Sequence, residues 1–213
     1  MFCLTPRDLE GCILGCGDGP ASFNAQATQQ GRRVISCDPM YQFSCPAIRQ
    51  RIDETSEVIA QQTRLCAAQY RWDEFGDVES LLRHRMAAMD RFLADFEGTL
   101  ADGRGRYVTG ALPHLPFAEG SFALALVSHL LFLYSQQLDL DFHIAAILDL
   151  LRVASEVRIF PLLTLEHQPS PHLPPVLQRL QSSGYVTQII ATDYEFQIAP
   201  DHFGNRMLSI RHQ

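Results

Sequence analysis

A glycine-rich turn directly after an apolar run is the feature that most constrains how this chain folds. The run that begins at Cys12 leads into Gly15, Gly17 and Gly19. Glycine has no Cβ, so it lets a backbone turn sharply and come close to a ligand. A helix-compatible segment follows from about Pro20, and its free N–H groups would face whatever lies over the turn. The pattern predicts a strand–turn–helix unit with a ligand site at the turn.

The second β-rich run, residues 33–37, ends on a single carboxylate. Asp38 follows Gly17 by 21 positions. At about this offset, a carboxylate at the end of the second strand reaches ribose hydroxyls in nucleotide-binding α/β folds. The two features together predict a nucleoside-binding crevice. The simpler alternative is a glycine-rich turn without a ligand, followed by a solvated carboxylate.

The spacing of the glycines separates two classes of nucleotide site. A dinucleotide fingerprint has the form G-x-G-x-x-G, but Pro20 stands where its third glycine would fall. The observed G-x-G-x-G resembles motif I of class I S-adenosylmethionine (SAM) methyltransferases. Residues 115–122 resemble the segment that leads into motif IV of that family, and residues 151–153 resemble the end of its helix before strand five. Three further stretches resemble a bacterial group of uncharacterised methyltransferase-like proteins: 156–163, 194–197 and 205–208.

The resemblance covers nearly the whole chain and implies an α/β fold. We expect one Rossmann-like domain over residues 1–213, with a doubly wound, mostly parallel seven-stranded sheet and an antiparallel C-terminal hairpin. A helical insertion after strand 2 spans about 42–101, where apolar residues recur at helical spacing and predict two long helices separated around 72–76. The insertion either shapes a substrate pocket or forms a structural or dimerising helical pair. A homodimer through the insertion is one expectation.

Hydrophobic patterns and turn residues set the expected elements. A short helical lead-in begins at Thr5-Pro6. The remaining patterns predict strands over 11–15, 33–37, 107–109, 121–128, 156–160, 185–193 and 205–211, and helices over 20–30, 139–152 and 172–183.

The resemblance implies a SAM-dependent methyltransferase that acts on a small-molecule or unknown acceptor, with SAM as the cofactor and S-adenosylhomocysteine (SAH) as its product. Asp38 would accept hydrogen bonds from the ribose hydroxyls. Asp18 would contact the ammonium group of SAM or, alternatively, cap the following helix. Met40 would flank the adenine or belong to the core. The expected cofactor-binding residues are Gly15, Cys16, Gly17, Asp18, Gly19, Asp38, Met40, Ala111, Leu112 and Ser128.

Three positions depart from the family pattern. An acidic residue is usual where this chain has Ile13, Ala111 and Ala123. Backbone groups near Ala111 and Leu112 would then have to replace a carboxylate at the adenine. The alternative function is a catalytically degenerate protein that keeps the fold as a SAM-binding or protein-interaction module. Aminopropyl transfer is disfavoured, because a polyamine site needs several acidic groups in the crevice.

His129 is the candidate general base. It ends the fourth predicted strand, at the edge where open α/β sheets bind ligands, and its unperturbed pKa lies near neutrality. The alternative is a hydrogen-bonded structural histidine. Tyr134 and His143 are weaker candidates. Arg158, inside an apolar strand, is hypothesised to pair with Glu195, because a buried charge needs a partner.

Composition limits the remaining function classes. The formal net charge of −7 argues against non-specific binding to nucleic acid or an anionic membrane. The chain has no lysine, which excludes Schiff-base chemistry and a P-loop. We expect a cytoplasmic protein, because no signal segment or transmembrane run is present. No metal-binding pattern occurs, and the six cysteines are expected to be small buried thiols in a reducing compartment.

Overall fold

A seven-stranded sheet forms the centre of the computed structural model, which describes residues 1–102 and 105–213. The strands are β1 (Cys12–Cys16), β2 (Arg33–Cys37), β3 (Tyr107–Val108), β4 (Phe122–Ser128), β5 (Ala154–Phe160), β6 (Tyr185–Ala191) and β7 (Arg206–His212). The helices are α1 (Phe23–Gln29), α2 (Cys45–Leu65), α3 (Val78–Asp102), α4 (Leu140–Val153) and α5 (Leu173–Ser182).

The strand order is β3-β2-β1-β4-β5-β7-β6. Strands β1 to β6 run parallel, and β7 runs antiparallel between β5 and β6. The predicted doubly wound sheet with a C-terminal hairpin is therefore confirmed. The most apolar runs, β1 and β4, lie at the centre, as expected for parallel strands that are covered on both faces.

Side chains of the central strands alternate between two helical layers. Leu14 of β1 belongs to the large cluster that packs against α4 and α5, whereas its neighbour Ile13 belongs to the cluster on the α1 face. This alternation follows from the two-residue period of a strand. Both faces of the sheet are covered, so the exposed functional edge is the one where the strands end.

The amino-terminal elements differ from the prediction in two places. Residues 6–10 form a turn instead of a helical lead-in, closed by reciprocal bonds in which Thr5 N–H donates to Asp8 and Asp8 N–H donates to Thr5 Oγ1. Helix α1 begins at Phe23, not near Pro20. The left-handed backbone of Gly19 (φ +55°) continues the turn and delays the helix.

The insertion contains the two long helices that the sequence predicts. Helices α2 and α3 pack through Ile48 and Ile52 against Phe92 and Phe96. A two-point salt bridge between Arg106, just before β3, and Asp95 of α3 fastens the pair to the edge of the sheet, with its shorter N–O distance at 2.9 Å.

The hypothesis that Arg158 pairs with Glu195 is wrong. Arg158 is 9% exposed on an interior strand, and its guanidinium binds Asp8 at 3.0 Å and Glu156 at 2.7 Å. Glu195 instead pairs with Arg71 of the insertion at 2.8 Å. The reason is the direction of the side chain. Arg158 lies beside Leu126 on the face covered by the amino-terminal turn.

The cysteines are all free thiols, but only Cys16 and Cys37 are buried and Cys3 is exposed. The prediction of buried thiols therefore holds for the two that lie at the carboxyl ends of β1 and β2. Within residues 1–102 and 105–213, no helix has both the length and the apolar character needed to cross a membrane.

Candidate cofactor crevice

The glycine turn sits at the carboxyl end of β1, between β2 and β4. Gly17 has φ +68° and Gly19 has φ +55°, a left-handed backbone that side chains rarely adopt. The N–H of Gly17 donates to the carbonyl of Cys37 at 2.9 Å. The turn is thus tied to the end of β2, where Asp38 follows.

Asp38 faces the glycine turn. Its Oδ2 accepts a hydrogen bond from Gly19 N–H at 2.9 Å, and its Oδ1 accepts one from Met40 N–H at 2.8 Å. The side chain is half-buried and caps a short 3₁₀ helix, Pro39–Gln42. An ionised carboxylate can accept about four hydrogen bonds, so roughly two acceptor positions remain for other donors. Two hydroxyls of a ribose fit that number.

Asp18 turns back over the strand end. Its carboxylate lies where a Cβ on Gly15 would point, which explains why glycine is required there. Ser36 Oγ donates to Asp18 Oδ2 at 2.6 Å. Burial raises the pKa of Asp18 to about 6, with a further rise from Asp38 that the Ser36 bond opposes. The predicted capping alternative is wrong, because the N-cap of α1 is Ser22.

Met40 and Tyr41 close the outer side of the turn. The Met40 sulfur lies 4.0 Å from where a Cβ on Gly19 would stand, and the Tyr41 hydroxyl donates to the Gly19 carbonyl at 2.9 Å. Ala111 and Leu112 follow β3, on the far side of β2, and the Ala111 carbonyl accepts from His114 N–H at 3.1 Å. Met40 therefore adjoins the turn directly, whereas Ala111 and Leu112 lie one strand further out.

The end of β4 forms the other wall. Val127 pairs with Cys16, so Ser128 and His129 emerge beside Gly17. Leu130 packs on the turn, with its Cδ2 at 2.5 Å from the place of a Cβ on Gly17. Ser128 Oγ lies 2.8 Å from His129 Nδ1.

His129 is exposed at the end of β4, with the Phe160 ring beside it. Its backbone is left-handed (φ 53°), and its N–H donates to the carbonyl of Phe160 at 2.7 Å. Desolvation and, to a smaller extent, the guanidinium of Arg85 lower the pKa of His129 to about 4. The imidazole is therefore neutral at neutral pH. The weaker candidates lie elsewhere: Tyr134 ends a short 3₁₀ helix, and His143 is buried in α4.

Three residues that the sequence reasoning did not select accompany His129. The ring centroid of Phe160, at the end of β5, lies 5.9 Å from that of His129, and the ring centroid of Tyr194 lies 5.8 Å from that of Phe160. Arg85 of α3 is the third, because its charge acts on both His129 and Tyr194. No local sequence signal marks Arg85 as a residue that acts on the other two.

The family positions that lack a carboxylate have different environments. Ile13 is fully buried in the core, so a charge there would be costly. Ala111 and Ala123 are exposed. Two cavities in the described part of the chain, of about 190 and 490 Å³, are lined by residues other than the predicted cofactor set. No group of three or more His, Cys, Asp or Glu residues within 1–102 and 105–213 is placed to hold a metal ion.

The strand order, the single antiparallel strand and the glycine turn facing a carboxylate define a class I Rossmann-like methyltransferase fold. The chain belongs to the same family as the uncharacterized protein MJ0045 of Methanocaldococcus jannaschii. The two are 31% identical over 212 residues, which cover 99% of this chain and 90% of the relative. No family model matches the chain.

Solved structures of similar architecture include two methyltransferases. One is magnesium protoporphyrin IX methyltransferase from Synechocystis PCC 6803 with bound SAH, with a TM-score of 0.45 and 12% identity over 95% of this chain and 74% of that one. Another is ribosomal protein L11 methylase from Lactobacillus delbrueckii subsp. bulgaricus, with a TM-score of 0.41 and 14% identity over 95% and 71%.

Proposed function

We propose that this protein binds SAM in the crevice and transfers its methyl group to a small-molecule acceptor. The observation that supports the proposal best is the fixed position of Asp38. Two backbone amides hold its carboxylate beside the glycine turn and leave acceptor positions for a vicinal diol. When bound, SAM supplies a methyl group that is activated by the adjacent sulfonium.

The residues of the crevice would each hold one part of the cofactor. Asp38 accepts hydrogen bonds from the ribose, and Met40 covers the adenine. Asp18 receives the ammonium group. The last role follows from its charge: Asp18 is held by the hydroxyl of Ser36, and its raised pKa reflects a carboxylate that a cation would stabilise.

His129 would accept the proton that an acceptor hydroxyl or amine loses. When its Nδ1–H donates to Ser128 Oγ, the Nε2 atom is left free as an acceptor. Its lowered pKa keeps it unprotonated at neutral pH but makes it a weaker base. Most of the rate would then come from alignment of the acceptor with the methyl group, not from proton transfer.

A binding module without catalysis is the second candidate. The observation in its favour is the absence of a carboxylate at Ile13, Ala111 and Ala123. A charge-assisted hydrogen bond to the adenine amine contributes roughly 1.5–3 kcal/mol. Its loss lowers affinity for the cofactor without changing the fold.

Thermal unfolding with SAM, SAH and NAD tests the proposal. Ligand at about a thousand times its dissociation constant stabilises by roughly 4 kcal/mol. SAM and SAH are expected to raise the melting temperature, whereas NAD is not. Asp38→Asn is expected to abolish the shift and Asp53→Asn, an exposed carboxylate on α2, to preserve it. Absence of any shift with millimolar SAM and SAH would contradict the proposal. Binding without methyl transfer to any acceptor in a metabolite mixture would favour the module.

A further inference from the structure

Helices α2 and α3 of the insertion are joined by a salt bridge near each end, and a cavity lies between these two contacts. Near the sheet, Arg49 of α2 binds Asp90 of α3 at 2.6 Å, above the packed cluster that contains Phe92. Near the tip, Arg64 Nε binds Glu79 Oε1 at 2.9 Å. One surface salt bridge therefore joins the two helices near each end of the pair.

The α2–α3 connection also contacts the β6–β7 connection, at the other edge of the sheet. The ring of Tyr70 stacks on Phe196 with centroids 4.6 Å apart. Arg71 N–H donates to the Phe196 carbonyl at 2.8 Å, and Ile198 N–H donates to the Gln69 carbonyl at 3.0 Å. The insertion begins after β2 and reaches the connection between β6 and β7, so it passes over the ends of the strands between them.

A cavity of about 190 Å³ lies between α2 and α3. Glu57 and Arg64 also border it, and these two side chains pair with each other at 3.8 Å. Most of its wall is apolar, formed by Ile52, Ile59, Ala60, Leu82, Met86 and Met89.

Arg85 lies on the wall of this cavity. Its positive charge lowers the pKa of His129 and opposes the rise in the pKa of Tyr194. Among the ion pairs of the described residues, Arg64 is bound to Glu79 and Glu57, but Arg85 has no carboxylate partner. An exposed arginine on the wall of an apolar cavity is a suitable counter-charge for an anionic ligand.

We propose that this cavity binds a small apolar carboxylate, with its hydrocarbon body between α2 and α3 and its anionic group on Arg85. The assignment of the cavity as the acceptor site depends on the proposed methyltransferase function, whereas the binding of a carboxylate there does not. It assigns the insertion to substrate binding, not to dimerisation.

Direct titration without any cofactor tests the site. The probes are 2-naphthoate and its neutral counterpart 2-naphthamide, followed by calorimetry or by ligand-detected NMR. The wild-type protein is expected to bind the carboxylate at least tenfold more tightly than the amide. Arg85→Gln is expected to remove that preference while retaining weak binding of both probes. Arg83→Gln, an exposed arginine on the same helix, is the matched control and is expected to behave as the wild type.

A cavity-filling variant separates the cavity from the charge. Ala60 is 6% exposed on the cavity wall, and Ala60→Leu is expected to weaken both probes by about tenfold or more. Equal binding of the two probes to the wild type, unchanged naphthoate binding by Arg85→Gln, or no binding of either probe would overturn the inference. Naphthoate binding that depends on Arg85, in a protein that does not bind SAM or SAH, would support the site and contradict only the methyltransferase proposal.

Discussion

Arg71 of the α2–α3 connection pairs with Glu195 of the β6–β7 connection, with Nε 2.8 Å from Oε2. The Glu195 side chain is only 14% exposed, so this pair is more desolvated than an ordinary surface salt bridge. It joins two loops that are distant in the sequence and are also linked by backbone hydrogen bonds. The pair therefore holds the insertion over the strand ends.

The pair is expected to show energetic coupling. Arg71→Met and Glu195→Gln, made singly and together, should couple by about 1–3 kcal/mol in urea unfolding, because either single change leaves a partly buried group unpaired. Arg158→Met combined with Glu195→Gln is the control. Arg158 binds Asp8 and Glu156, so that pair should be additive. Additivity for Arg71 and Glu195 would show that this ion pair contributes no stability.

Gly17 is expected to tolerate alanine less well than Gly31. Both have a left-handed backbone, with φ +68° and +74°, so both substitutions carry a conformational cost of about 1–2 kcal/mol. A Cβ at position 31 meets nothing within 4 Å, but one at position 17 meets Leu130 at 2.5 Å. Gly17→Ala should therefore lower the free energy of unfolding further and abolish SAH binding, as judged by urea unfolding and calorimetry. Equal losses in the free energy of unfolding for the two variants would mean that the Leu130 side chain moves aside without cost.

Asp18 is expected to contribute stability that is lost as the pH rises from about 4 to 6. Burial raises the pKa of Asp18 to about 6, so over this range the folded state keeps a proton on Asp18 that the unfolded state has already lost. The lowered pKa of His129 acts in the opposite direction, so the contribution of Asp18 is measured as a difference between variants. Asp18→Asn should gain stability relative to the wild type as the pH rises over this range, whereas Asp53→Asn should follow the wild type. A difference between Asp18→Asn and the wild type that does not change with pH would contradict the prediction.

The affinity for SAH should change with pH in the opposite direction to the contribution of Asp18 to stability. The ammonium group of the ligand favours the ionised carboxylate, so affinity is expected to increase as the pH rises through about 6. Calorimetry at pH 5, 6 and 7 measures this change. Asp18→Asn should bind with an affinity that varies little over the same range, and a wild-type affinity independent of pH would contradict the ammonium role.

His129 is expected to titrate well below a free histidine. Desolvation and Arg85 lower its pKa to about 4, and an NMR titration of the ring protons reads this without an acceptor substrate. Arg85→Gln should raise the pKa, whereas Arg83→Gln should leave it unchanged. An ordinary pKa near 6.5 in the wild type would mean that the ring is solvated and that α3 does not approach it.

The local sequence pattern was sufficient to predict the sheet and one half of the candidate site, the glycine turn with Asp38. The apolar runs at β1 and β4, the glycine spacing and the offset to Asp38 depend on backbone sterics and on strand period, which short stretches of sequence encode directly. For the same reason the two helices of the insertion were predictable from their apolar spacing. The start of α1 was predicted too early, because the left-handed backbone of Gly19 extended the turn.

Pairing of distant side chains was decided by the tertiary structure. The sequence showed that Arg158 and Glu195 each needed a partner, but it did not show that Arg158 faces Asp8 or that Glu195 faces Arg71. The effect of Arg85 of α3 on the pKa of His129 likewise depends on how the insertion packs in three dimensions. What the sequence by itself determined was the fold and the glycine turn with its carboxylate. The tertiary structure decided which charges meet, because that depends on the direction each element takes across the sheet.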